Sequence, residues 1–177
     1  MTASRSAAPQ DQANLAIDQL RRSQGDGRLA TDVTFAPGVV LNADPALGLA
    51  GTWRSPPGRL LELEAAPTGT GDWCAIHIPL GALAIGDLGV IGFTCRSAAP
   101  TPVVVRACLR SGLDGGFEDH FFDRHILAHA ADTLHVDVLD LHRSLGIPDQ
   151  ADWRDFILFL PVFPFRLSLQ DLRLFLV

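Results

Sequence analysis

Phe165-Arg-Leu-Ser-Leu-Gln-Asp-Leu-Arg-Leu-Phe-Leu-Val177 is the stretch on which the fold class turns. Leu167 and Leu169 alternate with polar residues, and Leu172, Leu174 and Leu176 repeat the pattern. A period of two predicts a strand with one face in a core. The two series are out of phase by one residue, and the slip falls at Gln170-Asp171. One extra residue in a β-bulge absorbs such a slip without turning the core face to water. The stretch is therefore expected to lie inside a sheet.

The same alternation recurs upstream. Leu61 and Leu63 are expected inward, with Glu62 and Glu64 outward. In the run 73–80, Cys74, Ile76, Ile78 and Leu80 share one face, and Trp73 and His77 the other. Residues 88–95 are apolar on both faces, as in a central strand. Val103, Val105, Ala107 and Leu109 point one way; Arg106, Cys108 and Arg110 point the other. Leu134, Val136 and Val138 are expected inward, leaving His135 and Asp137 outside. Further strand candidates lie at 38–42, 47–53, 124–128 and 156–161, and a helical turn fits within 139–152. Turn residues punctuate the whole series, and helical stretches between strands are missing. That spacing predicts an all-β fold, an antiparallel jelly-roll β-sandwich.

With 177 residues and 47% hydrophobic composition, the chain buries one substantial core. Two parts are expected: a flexible N-terminal arm with a short helix over residues 1–28, and a β-sandwich binding domain over 29–177. Residues 1 to about 10 are small and polar, with no apolar core of a secretory signal. Cytoplasmic synthesis is the expectation, with release as part of a particle left open. Residues 10–23 carry a thin apolar stripe of Leu15, Ile17 and Leu20. Such a helix is too short to stand alone; it docks on the domain, pairs with a copy of itself, or frays. Cys74, Cys95 and Cys108 sit in strand-like runs without metal or redox spacing, and read as buried reduced thiols. The net charge of -6 argues against a general nucleic-acid binder. No stretch approaches the ~20 apolar residues of a membrane span.

The strand order resembles that of galactose-binding-like β-sandwiches, which include many carbohydrate-binding modules. Three pieces carry the resemblance: Trp73-Cys-Ala-Ile-His-Ile-Pro-Leu80, Pro102-Val-Val-Val-Arg-Ala-Cys-Leu-Arg110 and Ser168-Leu-Gln-Asp-Leu-Arg-Leu-Phe175. It covers about residues 30–177. It implies a glycan-binding function without catalysis. It also implies the possibility of a structural calcium near the last strand, where Asp171 matches in position.

Three constellations could carry chemistry. The first is an outer sheet face with Trp73, His77, Arg106, Arg110, His135 and Asp137, should their strands be neighbours. Sugar C–H faces pack on aromatic rings, and hydroxyls take paired hydrogen bonds from planar polar side chains. The competing reading is an ordinary solvated face. The second is the segment 114–125, read as a long acidic loop in which Glu118, Asp119, His120 and Asp123 are candidate metal ligands, with Phe117, Phe121 and Phe122 as its anchors. The third, nucleophilic or acid–base catalysis, finds no motif; Glu62 and Glu64 read as solubilising charge, and no catalytic residue is assigned. Of Trp53 and Trp153, each followed by arginine, an exposed one is the better sugar platform.

The leading expectation is a non-catalytic polysaccharide-binding module that uses aromatic stacking and arginine and aspartate hydrogen bonds, with an acidic bacterial polysaccharide as one ligand class. The alternatives are a structural spike or adaptor of a phage-like particle, docking or oligomerising through residues 10–23, and a carbohydrate-active enzyme.

Overall fold

The structure, a computed structural model, describes residues 9–144 and 146–177. The expectation of an uncommitted leading segment falls, for residues 1–8, outside the described ones. One helix, α1 (Pro9–Ser23), precedes thirteen strands: β1 (Asp26–Arg28), β2 (Asp32–Ala36), β3 (Val39–Ala43), β4 (Gly51–Arg54), β5 (Leu61–Ala65), β6 (Cys74–Gly81), β7 (Val90–Ala98), β8 (Val103–Leu113), β9 (Gly116–Phe121), β10 (Ile126–Ala128), β11 (Thr133–Asp140), β12 (Trp153–Phe159) and β13 (Phe165–Leu176). No helix is long and apolar enough to cross a membrane, among the described residues.

The strands form two antiparallel sheets packed as a jelly-roll sandwich. One has six strands in the order β1-β4-β5-β13-β7-β11; the other has seven, β10-β8-β12-β6-β3-β2, with β9 paired to β8. The inward residues of both interdigitate around Phe93, Phe122 and Phe156, whose rings meet edge-on or tilted at 4.9 to 5.9 Å. The expected bulge is present. Leu169 pairs with Ser97 and Asp171 with Arg96, so Gln170 is the extra residue and the leucines on both sides of it stay inward.

Helix α1 docks on the sandwich. Ala13, Ile17 and Leu20, spaced four and three residues apart, are buried in the common core. The helix touches β13 of one sheet and β2, β3 and β6 of the other, closing one open side. β1 pairs with β4, so the chain joins the sandwich three residues before the expected boundary at residue 29.

Two expectations need correction. The segment 114–125 is not a long loop: Asp114 and Gly115 adopt φ of 48° and 80° and make a two-residue turn joining β8 to β9. An Asp-Gly pair supplies the left-handed backbone that a tight hairpin requires. And β11 is turned over. Leu134, Val136 and Val138 are exposed, while His135 and Asp137 pair with inward Cys95 and Phe93. Position explains the inversion. β11 is an edge strand, and inward Asp137 finds backbone partners at the rim, whereas the His135 Nε2 is buried without one. The backbone N–H of Arg124 donates to Asp137 at 2.9 Å, and the His135 ring stacks on Phe93 with centroids 5.5 Å apart.

Candidate functional site

The outer face of the seven-stranded sheet differs from an ordinary solvated surface because it has an apolar floor of its own. Ala75, Cys108 and Ile157 point away from the main core yet are fully buried, packed with half-buried Phe121 and Phe159. Strand register explains this. Cys108 of β8 lies between Ile157 of β12 and Phe121 of β9, and Ala75 of β6 lies opposite Phe159.

Above that floor runs a charged rung. Asp119, Arg110 and Asp155 occupy one line across β9, β8 and β12. Arg110 donates two hydrogen bonds to Asp119, at 2.6 and 2.7 Å, which holds the guanidinium above its ordinary pKa. The Arg110 guanidinium also stacks on the Phe117 ring, 3.8 Å from its centroid. Asp155 meets His77 Nδ1 at 3.3 Å, and His77 Nε2 is buried without a partner. Arg106 lies over Phe121 at 3.9 Å and is exposed.

Aromatic rings bracket this rung. Phe117 and Trp153 sit on either side of Gly112 in the next line, and they are 56% and 40% exposed. Glycine is required there: a Cβ on residue 112 would come within 2.2 Å of the Trp153 indole, which lies flat across the strand. Trp73, 39% exposed, marks the other end of the face, some ~25 Å along β6 by strand rise.

Four of the six residues singled out from sequence, Trp73, His77, Arg106 and Arg110, therefore share one surface. His135 and Asp137 do not, because β11 belongs to the other sheet and turns them inward. His77 and Arg110 are tied to carboxylates that hold them in place, which leaves Arg106 the less encumbered cation of the face. Sequence reasoning missed Asp155, Phe159 and the plate role of Phe117. The Asp114-Gly115 turn was the available signal, since it converts Phe117, Asp119 and Phe121 into one strand face. Trp53 is core, edge-on to Phe35, so Trp153 is the exposed member of that pair.

The metal candidates are scattered. Asp119 is bound to Arg110, Asp171 to Arg21, and Asp123 lies in the turn after β9. Among the described residues, no three His, Cys, Asp or Glu side chains gather closely enough to hold a metal ion. Burial pushes all three thiols up to about 12, with the charge of Asp171 adding to the effect at Cys95 and Asp119 at Cys108.

No protein-family model matches the sequence, and no curated protein matches it. Solved structures are. The CBM22-1 xylan-binding domain of a Paenibacillus barcinonensis protein superposes with a TM-score of 0.50 at 11% identity, covering 88% of this chain and 87% of that one. A CBM4 structure gives 0.47 at 9% identity over 66% and 70%. A family 11 carbohydrate-binding module from Clostridium thermocellum, in complex with a mixed-linked tetrasaccharide, gives 0.43 at 12% identity over 85% and 86%. The resemblance read from the strand pattern holds at the level of the fold: this chain has a jelly-roll β-sandwich, as that xylan-binding domain does.

Proposed function

We propose that this chain is a non-catalytic polysaccharide-binding module and that the outer face of the seven-stranded sheet is its binding surface. The observation that carries the reading is the pairing of two exposed, pre-set aromatic plates, Trp153 and Phe117, with a fixed rung of planar polar groups between Asp119 and Asp155. A sugar ring has apolar C–H faces and a rim of hydroxyls that both donate and accept. Aromatic plates take the former; guanidinium and carboxylate take the latter. Because Asp119 holds Arg110 and Gly112 seats Trp153 before any ligand arrives, little side-chain freedom is lost on binding. Arg106, over Phe121, supplies the donor for an acidic substituent. The fold likeness supports the class of ligand and not its identity.

Affinity electrophoresis tests this. Gels cast with xylan, mixed-linked β-glucan, mannan or polygalacturonate are expected to retard the native chain with at least one of them. Trp153→Ala weakens that retardation about tenfold, the cost of one lost stacking platform. Unretarded migration of correctly folded protein on every polysaccharide contradicts the reading.

A further inference from the structure

The opposite side of the sandwich carries a groove that nothing above uses. It lies on the outer face of the six-stranded sheet and has a volume of about 1190 Å³. Its floor is set by register. Asp26, Arg54, Glu62 and Ser168 form one rung across β1, β4, β5 and β13, and Thr52, Glu64 and Arg166 form the next. Its rims are apolar: Pro56 and Pro57 on one side, Ala99 and Pro100 on the other.

The floor is a lattice of alternating charge. Glu62 accepts from Arg54 at 2.6 Å and pairs with Arg59 through its other oxygen. Burial raises the Glu62 pKa, but the two arginines outweigh it and hold the carboxyl below its usual range. Glu64 pairs with Arg166. The Arg54, Arg59 and Arg166 side chains are 68%, 51% and 65% exposed, and pairs this open contribute little to folding. The Ser168 hydroxyl is buried at the floor without a partner.

Three arginines face three carboxylates (Asp26, Glu62 and Glu64) in the lining, so the lining itself carries no net charge, with exposed Arg28 beyond Thr52 at its edge. What it offers is spare guanidinium N–H groups beside spare carboxylate lone pairs. A hydroxyl, which donates and accepts at once, satisfies both, and vicinal hydroxyls satisfy two neighbouring members of a rung. Proline rims suit the C–H faces of the same ring. Both glutamates are already ion-paired with arginines, an arrangement that suits the groove to binding.

We propose that this groove is a second glycan site, specific for a neutral oligosaccharide, so that one chain engages two glycan strands on opposite faces. The ligand class rests on the reading in the previous subsection; the location does not. Backbone-amide NMR of the full chain, titrated with xylohexaose, cellohexaose and mannohexaose, and with tetragalacturonate as the acidic control, tests it. The expected result with at least one neutral hexasaccharide is two separate sets of shifted amides, one around Gly112 and Trp153 and one around Thr52, Glu64 and Arg166. The double variant Glu64→Gln, Arg166→Gln weakens binding at the second set at least tenfold and leaves the first unchanged; Trp153→Ala does the reverse. Shifts in the groove without shifts at Trp153 uphold this site and overturn the aromatic face. An unshifted groove with all three neutral probes overturns this site whether or not the aromatic face binds, and a groove that answers only to tetragalacturonate overturns its assignment to a neutral ligand.

Discussion

Arg154 is fully buried, and Asp149 acts on it through its charge without accepting a hydrogen bond from it. The arginine donates instead to neutral oxygens: the Leu83 carbonyl at 2.8 Å, the Ser111 hydroxyl and the Pro148 carbonyl. Burial lowers its pKa, yet a guanidinium titrates far enough above neutrality to stay charged. One side chain thus fixes the 82–89 and 146–152 loops to the end of β12, beside Trp153. Arg154→Leu leaves those acceptors unpaired and is expected to cost about 3–5 kcal/mol, read from urea unfolding; a cost under about 1 kcal/mol contradicts the pinning role. His135 supplies a pH dependence. Burial against Phe93 lowers its pKa; nearby Asp137 opposes the shift and Arg124 adds to it. Above pH ~6.5 both folded and unfolded states are neutral at this site. As pH falls through that value the unfolded chain takes up the proton first, so stability declines until the folded pKa is passed. The native chain is therefore expected to unfold at lower urea near pH 5 than near pH 7, and His135→Phe to reduce that difference. A pH response unchanged in the variant contradicts this assignment.

At the scale of the element, α1 acts as a substitute strand. β5 pairs with β13 only as far as Leu169, which leaves the second edge of β13 open beyond it. Asn14 closes it by accepting from the Leu174 N–H at 2.9 Å and donating to the Leu174 carbonyl at 2.8 Å. Asp18 binds Arg173 through both oxygens, and that hydrogen bonding holds its carboxyl below the usual range. The sign follows: the pair stabilises the fold above pH ~4, and its contribution is lost as pH falls through the folded value. Asn14→Ala strips both Leu174 groups of partners and is expected to cost about 2 kcal/mol, seen as faster hydrogen exchange at the Leu174 amide. Unchanged exchange there means that the packing of Ile17 and Leu20 alone holds the edge. Some of this was legible in advance. The Gln170 bulge could be read from a one-residue slip between leucine series, because burial on one face leaves no other way to keep register. The phases of β6 and β8 were legible for the same reason. β11 was not. Alternation shows that two faces differ, but not which one is buried when an edge strand can pair its Asp137 with the Arg124 backbone and stack His135 on Phe93.

At the scale of the molecule, the sandwich displays two dissimilar outer faces. One is aromatic over a buried floor of its own; the other is a neutral ionic groove between proline rims. Half of the first was visible in the sequence, because Trp73, His77, Arg106 and Arg110 lie in strongly alternating strands. The other half depends on which strands are neighbours: β12 inserts between β6 and β8 from far along the chain and delivers Trp153 and Asp155 to a surface that local pattern could not assemble. A variant with Trp53→Phe and Trp73→Phe keeps Trp153 as the sole indole, placed where a bound sugar would cover it. Titrated with the polysaccharide that retards the native chain most, its emission is expected to shift to the blue and saturate, with Phe117→Ala raising the half-point. An emission spectrum that stays unchanged while the same polysaccharide binds the chain would contradict the assignment of the binding face.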